Sequence, residues 1–157
     1  MTKRIIAAAL ALGCAFSAAA DDRLARFDGG IGVIPTGSTN TTVRGVPAPG
    51  QIWVISRLSA DIRTDGRILV DGRGLLLGAG DTIGTVGANT AVRARLFCGG
   101  VAFDSGPGAL SPDGDFRIEG DVSNSEAAAL PNSCVQPVLL ILNEAGNRWF
   151  AAGIPKL

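Results

Sequence analysis

The sequence predicts an all-β protein: an antiparallel β-sandwich of the immunoglobulin-like kind with about seven to nine strands, or else a small β-barrel. Three observations lead there. Short apolar runs alternate with charged residues at period two, as in Phe116-Arg117-Ile118-Glu119. Turn signals rich in Gly, Asp and Pro separate those runs, and no long segment carries helical periodicity. Two hairpins have registers that can be worked out residue by residue.

Ahead of the first strand stands an export signal. Lys3-Arg4 is followed by an apolar run from Ile5 to Ala15 and by Ala18-Ala19-Ala20 before Asp21-Asp22-Arg23. A short basic region, an apolar core and a small-x-small site describe a secretory signal peptide over residues 1–20, leaving a single domain over 21–157. The alternative is a lipid anchor on Cys14, preceded by Ala11-Leu12-Gly13. The apolar run is short for a membrane span, so the mature chain is expected to carry no transmembrane segment and to reside in the periplasm or outside the cell.

Arg23–Arg26 reads as a lead-in and Phe27–Ile34 as the first strand, its glycines twisting or bulging it. Residues 35–40 are a loop by composition, and Asn40-Thr41-Thr42 matches a glycosylation acceptor that a bacterial-looking chain has no use for. Thr42–Val46 suggests a short strand, stopped by Pro47-Ala48-Pro49-Gly50.

Trp53–Leu77 forms the central hairpin, turning at Thr64-Asp65-Gly66. A three-residue loop with Gly in the left-handed position pairs Ile62 with Ile68, Ala60 with Val70, Leu58 with Gly72 and Val54 with Leu76. These share one face because opposed residues point the same way. The other face carries Arg57, Asp61, Arg63, Arg67, Asp71 and Arg73, with Trp53, Ile55, Leu75 and Leu77 at the end far from the turn. A two-residue turn would mix polar and apolar residues on both faces, and burial selects against it.

Gly78–Asn89 is glycine-rich but lacks the Lys-Ser/Thr ending of a phosphate-binding loop, so it reads as a connection. A Gly99-Gly100 turn then pairs Cys98 with Val101, Leu96 with Phe103 and Ala94 with Ser105, while Arg95 meets Asp104 on the opposite face. Ser111-Pro112-Asp113-Gly114-Asp115 is a strong turn. In the strand after it Phe116, Ile118 and Val122 point inward and Arg117, Glu119 and Asp121 outward. Ser123–Ala129 has the spacing of a capped helical turn, Ser123 with Glu126 three residues on. The last hairpin joins Val138–Leu142 to Arg148–Ala152, and its unbroken apolar run predicts a strand covered on both faces.

Cysteine usage agrees with export. With Cys14 in the signal, Cys98 and Cys134 remain, and an oxidising compartment makes their disulfide the expected state. The chain has no His, and with no second cysteine pair a metal site on these thiols is the weaker reading. The formal charge is zero, and loss of Lys3 and Arg4 leaves 12 basic against 14 acidic residues, a net −2. Nothing in that balance favours nucleic acid or an anionic membrane.

Chemistry finds little footing. Without His, the Ser-His-Asp and Cys-His arrangements are excluded. Of the glutamates, Glu119 falls on an outer face, Glu126 fits a cap and Glu144 sits in a turn. Asp81 and Asp113-Gly114-Asp115 could offer oxygens to calcium, yet Asp-Gly is also what turns demand. Trp53 could serve as a lone stacking residue for sugar, against a packing role. The Arg57, Arg63, Arg67 and Arg73 face is the candidate site for an anion or an acidic partner, since Arg63 opposes Arg67 and Arg57 opposes Arg73; the competing reading is a solvated face. The expectation is therefore an exported, non-enzymatic protein with a structural or binding role, no cofactor and no metal, meeting an envelope or extracellular protein. The alternative is an extracellular hydrolase or small-ligand-binding protein using Asp residues at one end of the sandwich.

Overall fold

The structure is a computed structural model that describes residues 22–36 and 41–156. The expected export signal, the lipidation alternative at Cys14 and Asn40 of the glycosylation acceptor lie outside the described residues. The strands are β1 (Arg23–Gly32), β2 (Trp53–Val54), β3 (Arg57–Arg63), β4 (Arg67–Arg73), β5 (Leu76–Leu77), β6 (Ala91–Cys98), β7 (Val101–Ala109), β8 (Phe116–Asp121), β9 (Val138–Asn143) and β10 (Trp149–Pro155).

The all-β, antiparallel class is as the sequence predicts. Eight strands hydrogen bond into one sheet in the order β7-β6-β9-β10-β1-β3-β4-β8, while β2 and β5 make a two-stranded ladder. The edge strands β7 and β8 meet at two bridges, Leu110↔Phe116 and Asp104↔Ser123. At the second, the Asp104 and Ser123 amides each donate to the other's carbonyl, at 2.8 and 2.9 Å. The sheet is thus nearly closed into a barrel, which is compatible with the small-barrel alternative. Sheet twist accumulates across strands, and closure removes the exposed edges that an open sheet would leave. Register shifts in the β1–β3, β1–β10, β9–β10 and β6–β7 pairs bend the strands as closure requires.

Both derived registers are observed. In the β3–β4 hairpin Ile62 pairs with Ile68, Ala60 with Val70, Leu58 with Gly72 and Arg57 with Arg73, and Gly66 has φ +95° at the turn. In β6–β7, Cys98 pairs with Val101, Leu96 with Phe103 and Arg95 with Asp104. Ala94 and Ser105 meet through a bulge, where the Ala94 amide donates to Ser105 Oγ at 2.8 Å. Strand β9 is covered on both faces as expected: Leu139, Leu140, Ile141 and Leu142 are fully buried. The 41–50 segment is tied to the start of β10, where Trp149 donates from Nε1 (to the Thr41 carbonyl, 2.8 Å) and from its backbone amide (to the Pro47 carbonyl, 3.2 Å).

Four local expectations change. The Arg23–Arg26 lead-in belongs to β1, which ends at Gly32 rather than Ile34. Thr42–Val46 makes only a Val43↔Val46 bridge, not a strand. Val54 pairs with Leu76 as derived, but the faces are exchanged: Trp53, Leu75 and Leu77 are buried and Val54 is exposed. The hairpin rolls over between Ser56 and Gly74, where Gly74 adopts φ +61° and a Cβ would run into the Ser56 side chain. The Ser123–Ala129 segment forms no helical turn, because Asn124 takes the cap: its Oδ1 accepts from the Glu126 and Ala128 amides, at 2.7 and 3.2 Å.

Candidate functional site

Charged side chains alternate with core residues on β1, β3, β4 and β8, so the outer wall of these four neighbouring strands becomes a continuous ionic face. Arg57 and Arg73 are directly opposed across the β3–β4 ladder, and Asp71 lies opposite Arg117 of β8. Arg57, Arg63, Arg67 and Arg73 are all exposed there.

Neighbouring acids draw three of the four apart. Arg63 pairs with Asp22 at 3.1 Å, Arg67 with Asp65 at 2.7 Å and Arg73 with Asp115 at 2.9 Å. The Arg67 partner is the turn residue itself, whose carboxylate also accepts the Arg67 amide at 3.1 Å. The Arg57 side chain makes no hydrogen bond or ion pair with a described residue. Arg117, which the alternation places outward, joins β8 to β4 through Asp71 at 3.1 Å and reaches Glu119 on its own strand at 3.3 Å. Across β1, Arg23 bonds Asp61 at 2.7 Å, and Lys156 bonds Asp28 at 3.1 Å.

The electrostatics of this face hold charges on rather than moving them toward neutrality. The Lys156 ammonium bonded to Asp28 lowers that carboxyl below its usual value. The Arg67 amide, and then its guanidinium, lower Asp65, while the Arg73 guanidinium and the Gly74 amide lower Asp115. Hydrogen bonding to Asp65 raises Arg67, and bonding to Asp71 raises Arg117. A surface of this kind can meet a charged partner by exchanging internal ion pairs for external ones.

Its relief is shallow. A groove of about 570 Å³ runs along β3, β4 and β8 with Leu69 half-buried in its floor and Asp61, Arg63, Arg67, Glu119 and Asp121 around it. The groove therefore brings together Arg63 and Arg67 of the sequence-derived face. Arg57 lies instead in a second depression of about 360 Å³, beside Asp28, Ser59 and Asp71.

The other candidate residues are accounted for locally. Cys98 and Cys134 form a disulfide with Cα atoms 4.8 Å apart. Beside it the Gly99 amide donates to the Val135 carbonyl at 2.8 Å, so the end of β6 is tied to the chain before β9. Asp115 is occupied by Arg73 and the Gly74 amide, and no group of three or more potential metal-ligating side chains occurs among the described residues. Asp81 sits in the exposed β5–β6 connection. Glu126 and Glu144 are exposed, Glu144 in the β9–β10 turn. Trp53 is buried and stacked on Phe150, with ring centroids 4.1 Å apart, and Trp149 is also buried. Sequence reasoning passed over Arg93, whose Nε is buried with no partner among the described residues; alternation puts it on an outer strand face, and only packing hides it.

Against known proteins, the chain matches no family model, no curated protein and no solved structure.

Proposed function

We propose that the chain is an exported, non-enzymatic bacterial protein, acting in the periplasm or outside the cell as a structural or binding module. One observation carries this reading: the barrel interior is filled by side chains. Leu58, Ile62, Val70, Leu96, Phe103, Leu139 and Ile141, contributed from around the sheet, are each at most 1% exposed. A small barrel packed in this way offers its outer walls to the surroundings. The disulfide supports an oxidising compartment, and no helix among the described residues is long and apolar enough to cross a membrane.

The ionic wall of β1, β3, β4 and β8 is the surface favoured for contact with an envelope or extracellular protein. Fractionation of producing cells, mass determination of the mature protein and affinity capture from envelope and culture medium test the reading together. The expected product begins at Asp21, carries one disulfide, and retains a partner that charge reversal of Arg67 and Arg117 releases. A cytoplasmic product with free thiols would count against export. Hydrolysis of a peptide, ester or glycoside that Asp113→Asn or Asp115→Asn abolishes would replace the reading with an enzymatic one.

A further inference from the structure

Arg93 and Arg95 stand two residues apart on the outer face of β6, and their surroundings differ sharply. Arg95 is clamped by Asp104, its Nε and Nη2 donating to the two carboxylate oxygens at 2.5 and 2.7 Å. The Arg93 side chain makes no hydrogen bond or ion pair with any described residue, and its Nε is shut off from solvent without an acceptor among them. Its cross-strand neighbours are Leu142 of β9 and Pro107 of β7, neither of which has a side-chain acceptor. From above, the β9–β10 turn closes over it. A Cβ built on Gly146 would lie 3.3 Å from Arg93 Cδ and 3.9 Å from both Arg93 Nε and Arg95 Nη2. Two guanidinium groups thus share one neighbourhood whose paired carboxylate, Asp104, is fully engaged by Arg95.

Arg93 also lines a cleft of about 520 Å³ between residues 88–91 and residues 143–145. Thr90, on the rim, is exposed, and its hydroxyl has no partner among the described residues. Glu144, on the opposite rim, is exposed and makes no ion pair with Arg93. Buried polar groups in native proteins are almost always satisfied, by protein, water or a bound ion. A partly desolvated guanidinium beside open space is therefore a receptor for an acceptor brought from outside, and its planar fork suits an oxyanion.

We propose that this cleft binds a small oxyanion, a carboxylate or a phosphate group, with Arg93 as the anchoring cation and the Thr90 hydroxyl as a second donor. The site lies on β6, away from the β1-β3-β4-β8 wall, and does not depend on that wall's role.

The test follows the arginine Nε–Hε resonances of ¹⁵N-labelled protein during titration with acetate, citrate and inorganic phosphate, each against sodium chloride at matched ionic strength. The expected result is a saturable shift of the Arg93 resonance, the carboxylate and phosphate arms telling which group the cleft prefers. Arg93→Lys keeps the charge but loses the fork, and should weaken binding about tenfold. In the Arg93 variants the neighbouring Arg95 Nε–Hε resonance serves as reporter, since its guanidinium lies beside the same turn. Arg93→Gln should abolish its saturable shift, while Arg26→Gln, a change at an exposed arginine whose side chain bonds no described residue, should bind as the parent does. Unchanged affinity in Arg93→Gln, or an Arg93 shift that chloride reproduces, overturns the proposal. So does an Arg93 resonance that no oxyanion moves at concentrations up to about 50 mM, far above an ordinary millimolar constant.

Discussion

The ring of Phe116 fills the space where a side chain on Gly72, its partner across the β4–β8 ladder, would go; a Cβ built on Gly72 would overlap the ring. Phe116 is buried by this contact at the closing edge of the sheet, beside the Leu110↔Phe116 bridge. The glycine in β4 is there for the aromatic ring, and the pair helps β8 reach β7.

Gly72→Ala should therefore destabilise the fold by about 2 kcal/mol, the usual scale for overpacking a fixed core. Urea unfolding measures it. The double variant Gly72→Ala/Phe116→Leu should recover part of the loss relative to the sum of the singles; strict additivity would show that the two residues do not compete for the same space.

The Arg95–Asp104 pair is the least exposed of the ion pairs among the described residues, with side chains 22% and 33% accessible. A double-mutant cycle with Arg95→Gln and Asp104→Asn should give a coupling of about 1 kcal/mol, reduced from the fully buried range by remaining solvent. The same cycle on Arg67 and Asp65, both exposed, should give no measurable coupling. Equal values for the two pairs would mean that burial does not set their strength.

Reduction of Cys98–Cys134, which are 36 residues apart in the chain, should cost about 2–4 kcal/mol by releasing a long loop in the unfolded state. Cys98→Ser/Cys134→Ser should lower the urea midpoint to match the reduced wild type. A midpoint indifferent to reductant would place the structural constraint elsewhere.

Acid should weaken the fold through Asp28, Asp65 and Asp115, whose carboxyls are held below their usual 3.8 by the Lys156 ammonium, by the Arg67 backbone amide ahead of its guanidinium, and by Arg73 with the Gly74 amide. Their folded values lie below the unfolded ones, so the unfolded chain binds more protons in the acid range. The stability they add is complete above about pH 5 and is lost as pH falls through the ordinary carboxyl value toward the lower folded ones. Urea midpoints measured from pH 6 to pH 3 should drop, and drop less in Asp28→Asn/Asp65→Asn/Asp115→Asn. Equal slopes in the two proteins would assign the acid sensitivity to other groups.

Local sequence alone determined the two hairpins. Period-two alternation and the left-handed glycine of each turn decide which residues oppose one another, and that is a property of neighbouring chain segments. Hence Ile62↔Ile68 and Arg95↔Asp104, the inward set of β8 and the doubly covered β9 were legible, and so was the charged outer face. The disulfide followed from the cysteine count and the expectation of an oxidising compartment.

Tertiary structure decided the rest, because closure, roll and charge pairing join residues distant in sequence. Barrel closure rests on β7 meeting β8 at Asp104↔Ser123 and Leu110↔Phe116. The exchange of faces at Trp53 depends on Phe150 offering its ring from β10. The relief of opposed arginines came from Asp22 and Asp115, 41 and 42 residues away from Arg63 and Arg73. The unmet Nε of Arg93 exists only because the β9–β10 turn folds over it. Alternation tells a side chain which way to face; only the assembled sheet determines what it finds there.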